Sequence, residues 1–475
     1  MRIPVAVVLK KLLLRKAVFA AIALVEEIMK RKLWLICLIV VMVTSSLAGC
    51  GKTEQKDEGQ LSEKNTGNEN TDTNADKTAD NDVVEITIAY PSDDGAQEKL
   101  DTLIGEFNKE YPNIHVNCVF IPFSSWPDYI TKVKTMVAGG TAPDVLRLAV
   151  EGIQTFVKDG LAMPFDDFMQ ENPELLEELG VNDIHQNINA PFQIDGKTYG
   201  FAWDWNNIVM FLNKDLFEEK GIALPEKSWN KDDFLKIAQQ LTGEKDGQKI
   251  YGTVAPIDYF TVTAWLYNNN ASVLNEDMTK CTLNSAEAVD TIQFLYDLVY
   301  KYEVAPSPSA GLDTSNLFMN GQIGMIGNGR WSIASLANNG FENYDIQVLP
   351  ALSTQQSAFG SGSFPVLSTT EHPYEAMLFS SWLSASSFSQ ETFLKTDSVP
   401  SRISVMEKIL PSMLPENGMI WRESADVAKT IQAPSQLTDL TAIYDKYMSL
   451  IFANEISVEE GLQKATEEID ALLAD

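Results

Sequence analysis

Histidine is scarce. The chain has three in 475 residues, His115, His185 and His372, far apart and without the spacing of a metal site. No metal or other cofactor is expected. Cysteine is scarce as well, with four in all, and only Cys118 and Cys281 fall after residue 83. A chain of this length buries enough core to need no disulfide framework. Cys118 alternates with Ile114, Val116 and Phe120 and reads as an inward thiol of a strand; a Cys118–Cys281 bridge stays open as an alternative. Positive charge is in deficit, with 36 Lys and Arg against 66 Asp and Glu and a net charge of −30, which argues against nucleic-acid binding. Gly139-Gly140-Thr141 lacks the lysine of a phosphate loop, and Gly327-Asn328-Gly329 is an incomplete dinucleotide fingerprint. No segment singles out an acidic pair for glycoside hydrolysis. The chain is expected not to be an enzyme.

The apolar run Leu33–Val43 is too short to span a bilayer. It follows the basic head Met29-Lys30-Arg31-Lys32 and precedes small residues, the order of an export signal. The closing Leu47-Ala48-Gly49-Cys50 resembles the lipobox of bacterial lipoproteins. That resemblance implies cleavage before Cys50, a diacylglycerol on its sulfur, and a lipid-anchored protein at the cell membrane, outside the cytoplasm. Residues 1–28 carry Lys10, Lys11, Arg15 and Lys16 ahead of this signal. They read as a doubtful extension, either a mis-called start before Met29 or an amphipathic membrane-surface segment. Residues 29–49 are the signal. Residues 50–83 are a polar linker, too poor in apolar residues to order itself. Removing residues 1–49 takes away eight basic and two acidic side chains, so the charge moves from −30 to −36.

From Val84 the pattern changes. Val84–Tyr90 alternates as a strand, Ala96–Glu110 has helical spacing at Leu100, Leu103, Ile104 and Phe107, and Ile114–Ile121 is a second strand. Asp128–Ala138 is a helix ending at Gly139-Gly140, and Val145–Leu148 is a third strand. This alternation predicts an α/β fold with mostly parallel sheets flanked by helices. A second block starts near Ile208, with strand Val209–Leu212 and helix Lys214–Lys220. Asn230 with Asp233, and Ser457 with Glu460, are helix-start signatures. Without a repeat or a second low-complexity linker, the two blocks read as one unit.

Several segments carry a resemblance. They are Phe107-Asn108-Lys109-Glu110-Tyr111-Pro112-Asn113, Ala138-Gly139-Gly140-Thr141-Ala142-Pro143-Asp144-Val145, Phe211-Leu212-Asn213-Lys214-Asp215-Leu216-Phe217, Phe318 to Met325 followed by Gly329-Arg330-Trp331, and Val399-Pro400-Ser401-Arg402. Their order resembles the extracellular solute-binding proteins of ABC importers, in the sugar-binding class related to maltose-binding protein. Phe211 stands where that family usually has Tyr, and the turn at Gly360-Ser361-Gly362 is loosely matched. The resemblance implies a two-lobed periplasmic-binding-protein-like fold of type II with a ligand cleft at the hinge. It implies lobe 1 over 84–203, lobe 2 over 204–327, a lobe 1 return over 328–363, and a mainly helical remainder, chiefly lobe 2, over 364–475. It implies a monomer that captures a small sugar and delivers it to a membrane permease with its ATPase. A surface glycosidase, or a lipoprotein binding a cell-wall polymer or partner protein, is the alternative.

A sugar offers an apolar C–H face and a ring of hydroxyls, so aromatic platforms beside Asp, Asn and Arg are the candidates. Asp93 and Asp94 follow the first strand, Trp126 the second, and Asp144 precedes the third. Trp203, Asp204 and Asn206 form the densest aromatic–polar cluster. Trp203 and Trp205 lie two residues apart in an extended segment, and Trp203 is the candidate platform. Arg330 and Trp331 lie at the return crossing, Trp265 in the second block, and Arg402 in a late turn. Trp229 reads as a core anchor.

Overall fold

The first strand forms where its alternation places it, with Val84 half-buried and Ala89 of the other face buried as well. In the computed structural model, which describes residues 83–92, 95–308, 312–393 and 398–474, Ile86, Ile88 and Tyr90 are buried along β1 (Val84–Ser92). The readings of the extension, signal, Cys50 and linker, and of Asp93 and Asp94, lie outside the described residues. Helix α1 (Ala96–Glu110) buries Leu100, Leu103, Ile104 and Phe107, the apolar stripe expected of it. Strand β2 (Ile114–Pro122) pairs parallel to β1. Helix α2 (Trp126–Ala138) begins two residues earlier than its apolar pattern suggests, because Ser125 accepts from Asp128 N and a proline occupies the first turn. The third strand is split at Arg147. β3 (Val145–Leu146) joins β1 in parallel, whereas β4 (Leu148–Ala149) leaves for another sheet and leads into helix α3 (Val150–Lys158).

Strand β5 (Asp204–Asn207) leads directly into β6 (Val209–Asn213), whose residues are all buried. Helix α4 (Tyr259–Tyr267) follows, capped by Asp258. Strands β7 (Met325–Asn328) and β8 (Tyr344–Gln347) flank β6, both antiparallel to it. Segment 328–347 thus belongs with the second sheet, and the return to the first block comes later, at β9 (Ala358–Ser363). β9 pairs antiparallel with β5 and β4, so the expected turn at Gly360-Ser361-Gly362 is a strand. Helix α5 (Pro373–Ala385) packs on the first block: Phe379 and Trp382 meet Phe107 at 4.8 and 5.5 Å. β10 (Val399–Pro400) pairs antiparallel with β5, and β11 (Lys429–Thr430) parallel with β9. Helices α6 (Leu437–Phe452) and α7 (Val458–Leu473) close the described chain.

Parallel pairing therefore dominates only the first sheet. The strands that cross between the blocks run out and back, so they meet antiparallel. This crossing sheet also explains why both Trp203 and Trp205 are buried. Residues two apart in an extended segment share a face, and each indole is covered, Trp203 by Phe364 and Trp205 by Phe359. Cys118 and Cys281 are both free, and no bridge joins them. Trp229 is a core anchor as expected, with Nε1 donating to Val348 O at 2.8 Å.

Candidate functional site

The split third strand builds one side of the site. Arg147 lies between β3 and β4, and its Nη2 donates to both oxygens of Asp204, at 2.8 and 2.9 Å. Both side chains are buried. The guanidinium stands 5.1 Å from the Trp203 ring centre, 5.7 Å from Trp126 and 5.7 Å from Phe364, within range of cation–π attraction. It also overlies Gly362: a Cβ there would fall 1.8 Å from Nη1. Glycine at 362 is what lets the cation lie flat on the crossing strand.

Glu151 sits in the first turn of α3, four residues from Arg147, and is partly buried. Its Oε2 is enclosed and has no hydrogen-bond partner. Burial pushes its carboxyl up to about 7; the Arg147 charge works against that rise, and the Asp204 charge adds a smaller push upward.

The second block supplies the facing wall. Trp331 is 44 % exposed and stands edge-on to Phe260, with ring centres 5.7 Å apart. Phe260 in turn approaches α3 across Gly360: a Cβ at 360 would meet Phe260 Cε2 at 3.0 Å and Val150 Cγ2 at 3.8 Å. A side chain at 360 would push the two walls apart. Tyr259, beside Phe260, is within electrostatic reach of Glu151. The first turn of α3 and the start of α4 thus face one another over the crossing sheet.

The candidate residues fall into three groups. Trp126, Trp203 and Asp204 gather around Arg147. Asn206 and Arg330 are joined, Arg330 N donating to Asn206 Oδ1 at 3.0 Å, and Arg330 Nη1 donates to Ser398 O at 2.6 Å. Trp331 alone combines an aromatic face with high exposure. Trp203 is no open platform: it is 1 % exposed, its Nε1 donates to Ser389 Oγ at 3.0 Å, and Phe364 packs on it. Trp265 is 1 % exposed and packs against Phe234 and Phe294 in the core of the second block. Asp144 is structural, accepting from Thr87 N at 2.7 Å and Thr370 Oγ1 at 2.6 Å. Arg402 pairs with Asp183 at 3.0 Å and donates to Ala385 O at 2.9 Å. The last three are not brought to the site.

Arg147, Glu151 and Phe260 did not stand out in the sequence. One signal for the first two existed: ligands of α/β sheets lie beyond the carboxyl ends of strands, and both follow the third strand closely.

This arrangement, two α/β blocks joined by crossing strands with an aromatic and carboxylates at the seam, defines a hinged binding protein. The chain matches the bacterial extracellular solute-binding protein family over residues 102–417 and belongs to it. A binding protein of Brucella abortus is 28 % identical over 255 residues, 52 % of this chain and 58 % of that relative. The match therefore spans less than two thirds of that relative's length. The arabinooligosaccharide-binding protein of Halalkalibacterium halodurans is 23 % identical over 78 % of this chain and 86 % of its own. Among solved structures, the ABC substrate-binding protein of Listeria monocytogenes in complex with cycloalternan superimposes with a TM-score of 0.75. It is 26 % identical and covers 83 % of this chain and 100 % of that one.

Proposed function

We propose that this chain captures a carbohydrate between its two blocks and presents it to an ABC permease driven by a separate ATPase, without itself catalysing a reaction. The observation that carries this reading is Trp331, a large aromatic left 44 % exposed over Phe260 and opposite the start of α3. An exposed indole at a hinged seam suits the C–H face of a sugar ring. The similarity to oligosaccharide-binding relatives supports the same ligand class. We further propose that the protein is tethered to the outer face of the cell membrane through a diacylglycerol on Cys50, with residues 51–82 as spacer.

A thermal-shift screen over mono- and oligosaccharides tests the capture. A bound sugar at a hundred times its dissociation constant stabilises the folded state by about 2.7 kcal/mol. A panel of arabino-, malto- and galacto-oligosaccharides that leaves the melting temperature unmoved overturns the reading.

A further inference from the structure

The crossing sheet has two faces, and only one of them looks into the cleft. Asn206 pairs opposite Gly360, and Asn207 opposite Phe359. Gly360 lies under Phe260 on the cleft side. Successive side chains of a strand point to opposite faces, so Asn207 points behind the sheet. A cavity of about 240 Å³ lies there, floored by the two crossing segments, 207–209 and 355–357. One wall, at Lys227 and Val348, belongs to the second block, where Trp229 Nε1 holds Val348 O. The other, at Ser424 and Val427, is tied to the first block, because Asn187 Nδ2 donates to Ala425 O and Ala428 O, both at 2.8 Å. The exposed Lys227–Glu423 ion pair spans the two walls at the rim, beside the exposed Val427, so the cavity opens to solvent.

The polar groups of this cavity are unevenly answered. Ser357 Oγ donates to Ile208 O at 2.6 Å, and Gln355 Nε2 to Lys227 O at 2.6 Å. Ser424 Oγ donates to Ile420 O at 2.8 Å and accepts from Asn207 Nδ2 at 2.9 Å, which fixes the Asn207 amide and turns Oδ1 away from it. That Oδ1, on a wholly buried side chain, has no hydrogen-bond partner, and neither has Oε1 of Gln356. Enclosed acceptors without a donor cost free energy unless another group completes them. Gln356 is only half-buried and its last torsion is soft, so a small rotation turns its oxygen into the cavity.

We propose that this cavity is a second ligand site, behind the hinge, for a small primary ammonium with a short branched alkyl body. An ammonium brings three N–H donors and no acceptor, which matches a lining whose hydroxyl donors are engaged and whose amide oxygens are not. Ile208, Val209 and Leu349 line the space for the alkyl part, and Glu423 places a carboxylate at the rim. The volume is below the roughly 300–1,000 Å³ of pockets for drug-sized molecules, so larger occupants are excluded. Closing the blocks over the cleft carries the back walls apart. An occupant fitted to their present spacing therefore opposes closure; this coupling, unlike the site itself, rests on the capture reading above.

The test titrates the intact chain by calorimetry at neutral pH with isoamylammonium, and with isovalerate as an anion of nearly the same body. The ammonium is expected to bind saturably at one site, at least tenfold more tightly than the anion. Gln356→Leu removes an oxygen that bonds to nothing in the protein. That variant is expected to keep its melting temperature and to bind the ammonium tenfold or more weakly. Non-saturable uptake, equal binding of isovalerate, or an unweakened Gln356→Leu variant overturns the site. With the ammonium bound, the saccharide identified by the thermal-shift screen is expected to bind at least threefold more weakly, and the ammonium to weaken by the same factor when the saccharide is present. Unchanged or tighter sugar binding overturns the coupling and leaves the site standing. If no saccharide binds, the capture reading falls and the coupling with it, while the ammonium titration still decides the site.

Discussion

Trp203 and Trp331 are the same residue type in opposite circumstances, and they should respond oppositely to truncation. Trp203 is enclosed by Phe364, Arg147 and the Ser389 hydroxyl. Trp203→Ala leaves a cavity and removes the N–H that Ser389 Oγ accepts, so about 3–5 kcal/mol of stability should be lost, measured as a shift in the urea midpoint. Trp331→Ala should leave that midpoint almost unmoved and weaken saccharide binding tenfold or more. A Trp203 variant of unchanged stability, or a Trp331 variant that binds sugar normally, would contradict this account. The sequence pointed to both residues because aromatic and polar side chains cluster around them. It could not tell them apart, since the groups that bury Trp203 arrive from far along the chain. The same holds for Trp265 and Arg402, whose partners Phe294 and Asp183 are distant in sequence.

The short elements around Arg147 set the charge balance of the seam. β4 and β5 bring one cation and one anion together in buried surroundings, and the first turn of α3 adds Glu151 beside an already matched pair. Glu151 therefore keeps its proton when folded up to pH of about 7, against an ordinary value of 4.5. Between those values the folded state holds a proton that the unfolded state has released. Its contribution is thus fully present below the ordinary value and lost as pH rises to about 7, on the order of 3 kcal/mol across the window. Chemical denaturation of the ligand-free protein at a series of pH values should show this decline, and Glu151→Gln should flatten it and raise stability at pH 8. An unaltered profile in the variant would assign the decline to other groups. At this scale the sequence was most legible where contacts are local. β1, α1 and β2 follow from period and turn residues. The split at Arg147 and the strand at Gly360–Gly362 depend on pairing between distant segments, which no local period encodes.

For the whole molecule, the lipid tether is open to direct measurement. Mass spectrometry of protein taken from native membranes should find a diacylglyceryl adduct on an N-terminal Cys50, the position marked by Leu47-Ala48-Gly49; an unmodified Cys50 in that material would refute the tether. The interleaved path of the chain has another outcome. The first block begins at β1 but is completed by α5, and the second sheet needs β8 as well as β6. A chain delivered from its N-terminus cannot finish the first block until residue 385 has emerged, so the two blocks mature almost together. Neither is encoded by one uninterrupted stretch of gene. Exchanging a block between relatives by simple recombination would carry over fragments rather than a fold, so a new ligand preference in this scaffold has to arise by substitution at the seam itself.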